Sequence, residues 1–213
     1  GASSFRKQTA EQLLKEVRFD AIRGNISEIK TLASLCGTQE KNSGNMAVSD
    51  TMDVEKITDK SDHCGKITGI DGSGRGVDAD NADTVTEENL AQHISNAKML
   101  SNRLQTIVAI TGAIDLVTDG SSCYVIRNGN PQMGHVTGAG CQLSGILTAF
   151  LAANPENKLQ AAAAAVCMMG YAGELAAEKS GQSGSGTYRV SLMDAVSCMD
   201  GDILERGARY EIR

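Results

Sequence analysis

Three short clusters in this chain combine residue types that handle phosphate, and each stands where an apolar run ends. The first is Arg23-Gly24-Asn25-Ile26-Ser27-Glu28. An arginine there can grip a phosphate through two parallel N–H donors, Asn25 can orient ligand oxygens, and Glu28 can hold Mg²⁺ directly or through water. The same residues also spell a helix start, with Asn25 as N-cap and Glu28 closing a capping box, and the two readings are compatible. The second is Thr111-Gly112 at the close of VAIT, where open α/β sheets gather ligand groups beyond the carboxyl ends of their strands. The third is HVTGAGCQLSG, residues 135–145. Gly138 and Gly140 let main chain approach a ligand. The N–H groups of Ala139, Gly140 and Cys141 are expected to be uncommitted at the following helix start, where the macrodipole favours an anion. A helix start also favours an ionised thiol, which makes Cys141 a candidate base or nucleophile with His135 as its nearest histidine. Taken alone, the stretch fits a structural turn as well as an anion cradle, and Cys141 fits an inert cysteine somewhat better than a reactive one.

The elements that must position these clusters follow from hydrophobic spacing. Leu13, Leu14 and Val17, after Thr9, predict a capped helix over residues 9–20, and FDAIRGN predicts a short strand ending in a glycine loop. Ile26, Ile29, Leu32, Ala33 and Leu35 predict a helix that stops before Gly37. Leu90, Ile94, Ala97 and Leu100 mark one face of a helix within residues 86–104. TIVAIT and LVTD read as strands, and CYVIRNGN reads as an edge hairpin with an N-G turn. Two long helices follow, QLSGILTAFLAA and KLQAAAAAVCMMGYAGELAAEKS, separated by Asn154-Pro155. A last helix, VSLMDAVSCM, precedes a charged tail. The alanine run 161–165 suits close approach of a helix to a sheet or another helix. Alternating strands and helices imply an α/β domain with helices flanking a mostly parallel central sheet.

Composition excludes several classes. The chain has 213 residues, 41% of them hydrophobic, enough for one domain with a real core. A net charge of -6 argues against a nucleic-acid or anionic-membrane surface. Six scattered cysteines without a C-x-x-C pair, beside three histidines, argue against a disulfide or zinc framework. No stretch approaches the roughly 18 consecutive apolar residues of a membrane span, and a reduced, cytoplasmic setting is expected. Residues 38–75 are rich in Gly, Ser, Asn, Asp, Lys and Thr, and read as a polar, disorder-prone insertion. Apparent motifs nearby fail on spacing. Gly65-Lys66-Ile67-Thr68 lacks the earlier glycine of a P-loop, Gly72, Gly74 and Gly76 follow no strand, and Asp78, Asp80 and Asp83 lack a calcium loop's glycine.

RGNISEI, GRGVDA, VAITGAIDLVTDG, NGNP and VTGAGCQLSGILTAF occur together and in order, and in this the chain resembles hydroxyethylthiazole kinase, a member of the ribokinase-like superfamily. The likeness covers nearly all of the chain except the polar insertion. It implies a ribokinase-like α/β fold over residues 1–213 and ATP- and Mg²⁺-dependent phosphorylation of the hydroxyl of a (2-hydroxyethyl)thiazole in thiamine biosynthesis. It also implies a homotrimer with active sites between subunits. It places Arg23 and Thr111 on ATP, Gly138 at the thiazole alcohol and Glu28 near the magnesium. The TGAGC turn becomes an anion hole for the transferring phosphoryl, and Cys141 stands where superfamily relatives usually carry an aspartate base. The alternatives are a kinase for another small alcohol, such as a hydroxymethylpyrimidine, and a catalytically incomplete nucleotide-binding fragment. Two departures stand out. The family's N-terminal portion, with a methionine on the thiazole and an aspartate linked to the magnesium, precedes the point where GASS begins, and the polar insertion replaces what is usually a short connection.

Overall fold

The structure, a computed structural model, describes residues 4–42, with side chains through residue 36, and residues 84–213. Most of the polar insertion, the three rejected motifs and GRGVDA lie outside the described residues. Helix α1 (Ser4–Glu16) leads to strand β1 (Ala21–Asn25) and helix α2 (Ile26–Asn42). Helix α3 (Leu90–Leu104) then precedes β2 (Ile107–Thr111), β3 (Asp115–Thr118) and β4 (Cys123–Ile126). A 3₁₀ turn, Pro131–His135, joins β4 to α4 (Ala139–Ala153), followed by α5 (Lys158–Ser180), α6 (Ser185–Ser197), α7 (Gly201–Gly207) and β5 (Tyr210–Ile212).

The strands form one sheet in the order β1-β2-β3-β4-β5. Alternation along the strands sends successive side chains to opposite faces. Val108, Ile110, Leu116 and Val125 meet Ile29 of α2 and Leu90, Ile94 and Leu100 of α3. Ile107, Ala109, Val117 and Ile126 meet α4, α5 and α6 through Leu143, Val166, Met169 and Leu192. Covering both faces explains why β2 and β3 read as continuous apolar runs. Within α5, Ala161, Ala162, Ala163 and Ala165 are all buried, the small-residue contact expected of the alanine run. Helix α5 is long and apolar enough to cross a membrane, yet most of it is buried in this core.

The α/β class with flanking helices holds. The expectation of a mostly parallel sheet is corrected: among the described residues β1–β2 is parallel, and β2–β3, β3–β4 and β4–β5 are antiparallel. The physical reason is connection length. Three residues join β2 to β3 and four join β3 to β4, enough for a hairpin but far too few for a parallel crossover. Nor is β4 an edge strand ending in an N-G hairpin, because the charged tail folds back as β5 and the NGN segment enters the 3₁₀ turn instead.

Three helices also differ from their expected spans. Helix α1 starts and stops earlier than residues 9–20, and Thr9 donates to Phe5 O at 3.0 Å rather than capping. Residues 19 and 20 are drawn to the sheet instead: Phe19 O accepts from Thr106 Oγ1 at 2.7 Å and Asp20 O from Ile107 N at 3.3 Å. Helix α2 passes through Gly37, and α6 starts at Ser185, before the apolar run that predicted it.

Candidate active site

The parallel pair fixes the first half of the site. In register, Asn25 lies beside Thr111, so β1 and β2 end at one sheet edge with their carboxyl ends together. Arg23, two residues back, donates from Nη1 to Thr111 Oγ1 at 3.4 Å, a long bond that leaves the guanidinium mostly uncommitted. Its Nε is buried without a partner among the described residues. A capping box closes the start of α2: Glu28 N donates to Asn25 Oδ1, and Asn25 N donates to Glu28 Oε2, both at 2.8 Å.

The second half is the start of α4. Gly138 is its N-cap with φ +91°, a left-handed conformation that side chains other than glycine's rarely accept. Ala139 N donates to Val136 O at 3.2 Å, so one of the three expected free donors is already used. Among the described residues no hydrogen bond takes up the N–H of Gly140 or Cys141. Gly140 also makes room for the arginine: a Cβ there would stand 3.0 Å from Arg23 Nη2. The guanidinium therefore sits between the β2 terminus and the α4 start, adding its charge to the positive end of the helix.

Between them lies a cavity of about 560 Å³. Arg23, Thr111, Gly112, Ala139 and Gly140 line it, so five of the sequence-predicted residues converge. Asn25 and Glu28 stand at the same sheet edge without lining it, Gly138 adjoins it, and Cys141 is exposed beside it. His135 ends the 3₁₀ turn, exposed, and no side-chain hydrogen bond joins it to Cys141 among the described residues. The cavity's other wall is apolar, with Met133, Leu143, Val166 and Met169, a surface suited to a flat apolar ligand group beyond a phosphate end.

Among the lining residues that sequence reasoning missed are two buried polar side chains, Asp115 and Asn128. Asp115, 8% exposed, accepts the Gly112 N–H at 2.8 Å through Oδ1. Burial lifts its carboxyl to about 7, against the opposing pull of the Gly112 N–H and the Arg23 charge. Its signal was a lone acid opening the apolar run DLVT. Asn128, 4% exposed, ties the wall to the rest of the fold. Its Nδ2 donates to Glu174 Oε1 and Gly207 O, and its Oδ1 accepts from Arg209 N at 2.7 Å and Cys167 Sγ at 3.1 Å. Glu174 Oε1 also accepts the Gly129 N–H, and although burial works the other way, the Arg209, Gly129 and Asn128 hydrogen bonds hold this carboxyl below its ordinary range. An N-G pair reads as a turn, so nothing local marked Asn128 as buried.

The model of the hydroxyethylthiazole kinase family matches residues 1–60 and 52–202. The chain belongs to the hydroxyethylthiazole kinase family. A hydroxyethylthiazole kinase of Clostridium acetobutylicum is 42% identical over 212 residues, spanning 99% of this chain and 65% of that protein. One of Desulfovibrio desulfuricans is 34% identical, spanning 100% of the chain and 65% of the relative. The chain thus spans about 65% of the length of these family members. The structure of a hydroxyethylthiazole kinase from Pyrococcus horikoshii OT3 shares the fold, with a TM-score of 0.69 at 22% identity, covering 100% of this chain and 62% of that one.

Proposed function

We propose that this chain carries the nucleotide-phosphate part of a hydroxyethylthiazole kinase site and serves ATP- and Mg²⁺-dependent phosphorylation of the hydroxyl of 4-methyl-5-(2-hydroxyethyl)thiazole. The observation that supports this is the meeting of Arg23, the Thr111 hydroxyl and the α4 start around one cavity. Phosphoryl transfer depends mainly on positioning and on stabilising charge, and these groups supply both. Arg23 and Thr111 bind the ATP phosphates, Asn25 orients oxygens at the sheet edge, and the 138–141 turn with Gly112 brackets the transferring group. The thiazole hydroxyl enters beside Gly138, with Cys141 placed to accept its proton.

Glu28 suits a magnesium ion: it is an exposed carboxylate at the same edge, and with Oε2 holding the Asn25 N–H its other oxygen remains available. Among the described residues no group of three His, Cys, Asp or Glu side chains could hold a metal, in keeping with a cation carried mainly by phosphate and water. When bound, such an ion neutralises phosphate charge. The same reading includes a single domain over residues 1–213, a homotrimer with sites between subunits, and a cytoplasmic location. Exposed Val190 and Met193 on α6 offer apolar surface for contacts between copies.

The test is formation of thiazole phosphate from ATP, Mg²⁺ and the alcohol, by the 213-residue chain and by the protein at its relatives' full length. Turnover by the longer form that falls about 10-fold or more in Cys141→Ala, with ATP binding unchanged, matches the proposed proton acceptor. Preference for a hydroxymethylpyrimidine over the thiazole would contradict the substrate assignment. ATP binding by the 213 residues without turnover would support the alternative of a catalytically incomplete nucleotide-binding fragment.

A further inference from the structure

We propose that Asp115 is a positioning residue for the phosphate end of the cavity. Its carboxyl holds the Thr111–Asp115 turn through the Gly112 N–H, thereby fixing the Thr111 hydroxyl where Arg23 meets it, and its charge state sets how well that corner accepts an anion. The inference rests on the nucleotide reading above. Only three residues, Gly112, Ala113 and Ile114, separate β2 from β3, and the first two of them join Thr111, the last residue of β2, in the cavity wall. Without an acceptor at 115, the Gly112 N–H loses its partner, and the turn that sets the Thr111 side chain loses its closing bond. Asp115 itself lines the cavity while almost fully buried, so it is both a strut and a part of the wall.

The groups facing it decide how its charge acts. Arg23 reaches it from β1, the Cys167 thiol lies close on α5, the β2 turn gives it the Gly112 N–H, and β4 pairs Ile126 with it. The Asp115 carboxylate raises the Cys167 thiol further, beyond what burial does first, so that thiol stays neutral beside it. Arg23 is therefore the cation shared between Asp115 and any bound phosphate. An ionised Asp115 competes with the phosphate for Arg23 and repels it, whereas a protonated Asp115 still accepts the Gly112 N–H through its carbonyl oxygen. With the carboxyl titrating at about 7, anion binding takes up a proton and weakens as pH rises through that value.

The experiment compares Asp115→Asn and Asp115→Ala with the unaltered 213-residue chain, reading hydrogen exchange at the Gly112 amide and ATP-Mg²⁺ affinity at several pH values. Asparagine keeps an acceptor oxygen and mimics the neutral acid, while alanine removes both. The expected result is Gly112 exchange about 10-fold or more faster in the alanine variant and near normal in the asparagine variant. ATP affinity should fall about 10-fold in the former and stay within about threefold in the latter at pH 6. From about pH 6 to 8.5 the unaltered chain should lose affinity relative to the asparagine variant, a ratio from which the titration of ATP itself cancels. Equal weakening by both substitutions, or an alanine variant matching the unaltered chain in Gly112 exchange, overturns the positioning role; a ratio constant with pH overturns the proton linkage. If the unaltered chain binds no ATP, the nucleotide reading fails on its own, and Gly112 exchange in the alanine variant, set against the asparagine variant, still judges Asp115.

Discussion

Arg23→Ala is expected to weaken ATP-Mg²⁺ binding by about 100-fold, or roughly 2.7 kcal/mol, in a calorimetric titration. The figure corresponds to losing one or two charge-assisted hydrogen bonds to phosphate in a partly desolvated corner. The fold itself should barely change. Arg23 makes one 3.4 Å bond to Thr111, and its Nε has no partner among the described residues, so truncation strands little. That combination separates a ligand-binding arginine from a structural one, whose removal would lower Tm first. Arg23→Lys should recover only part of the affinity, because an ammonium is a point charge that cannot present two parallel donors.

The second large effect concerns the opposite wall. Asn128→Ala should destabilise the chain by about 3 kcal/mol, seen as a fall in Tm of about 6–12 °C for a chain of this size. Asn128 bonds four separate partners, the Glu174 carboxylate, Gly207 O, Arg209 N and the Cys167 thiol. Alanine leaves the Gly207 carbonyl and the Arg209 N–H to find others, and each such group left unmet costs about 1–3 kcal/mol. The loss should spread to β5, because Asn128 anchors the residues that lead into that strand. A Tm within about 1 °C of the unaltered chain would show that the network adds little.

These two residues illustrate what the sequence can disclose. Arg23 could be nominated because strand ends, a capping pair and an arginine fell together within six residues. Its meeting with Thr111 follows from the strand-end rule, since the partners are 88 residues apart and only the parallel register joins them. Asn128 had no such local signal. Its partners come from α5, α7 and the segment before β5, and a polar residue before glycine looks the same in sequence whether buried or solvated. Asp115 is intermediate: an acid opening an apolar run was visible, but its bond to Gly112 needs the turn's geometry.

The same division runs through the fold. Helices α3 and α5 and strand β2 were evident because periodic or continuous apolar runs record burial. Strand β5 was hidden, since Tyr210, Glu211 and Ile212 form a short edge strand with two exposed apolar side chains, and its pairing with β4 is wholly non-local. The mixed sheet was misread because alternation of strands and helices suggests crossovers, while the deciding quantity was the three- and four-residue connections. At the α4 start, the glycines correctly marked the turn, but the bond from Ala139 N to Val136 O could not be inferred from composition.

Protection of main-chain amides on adding ATP-Mg²⁺ tests whether nucleotide phosphates lie between Arg23 and the start of α4. Slowed hydrogen exchange at Gly140 and Cys141, the two N–H groups that no hydrogen bond takes up among the described residues, is the predicted result, and in Arg23→Ala it should require about 100-fold more ATP. Binding of ATP that leaves both amides exchanging at their free rates would contradict the account.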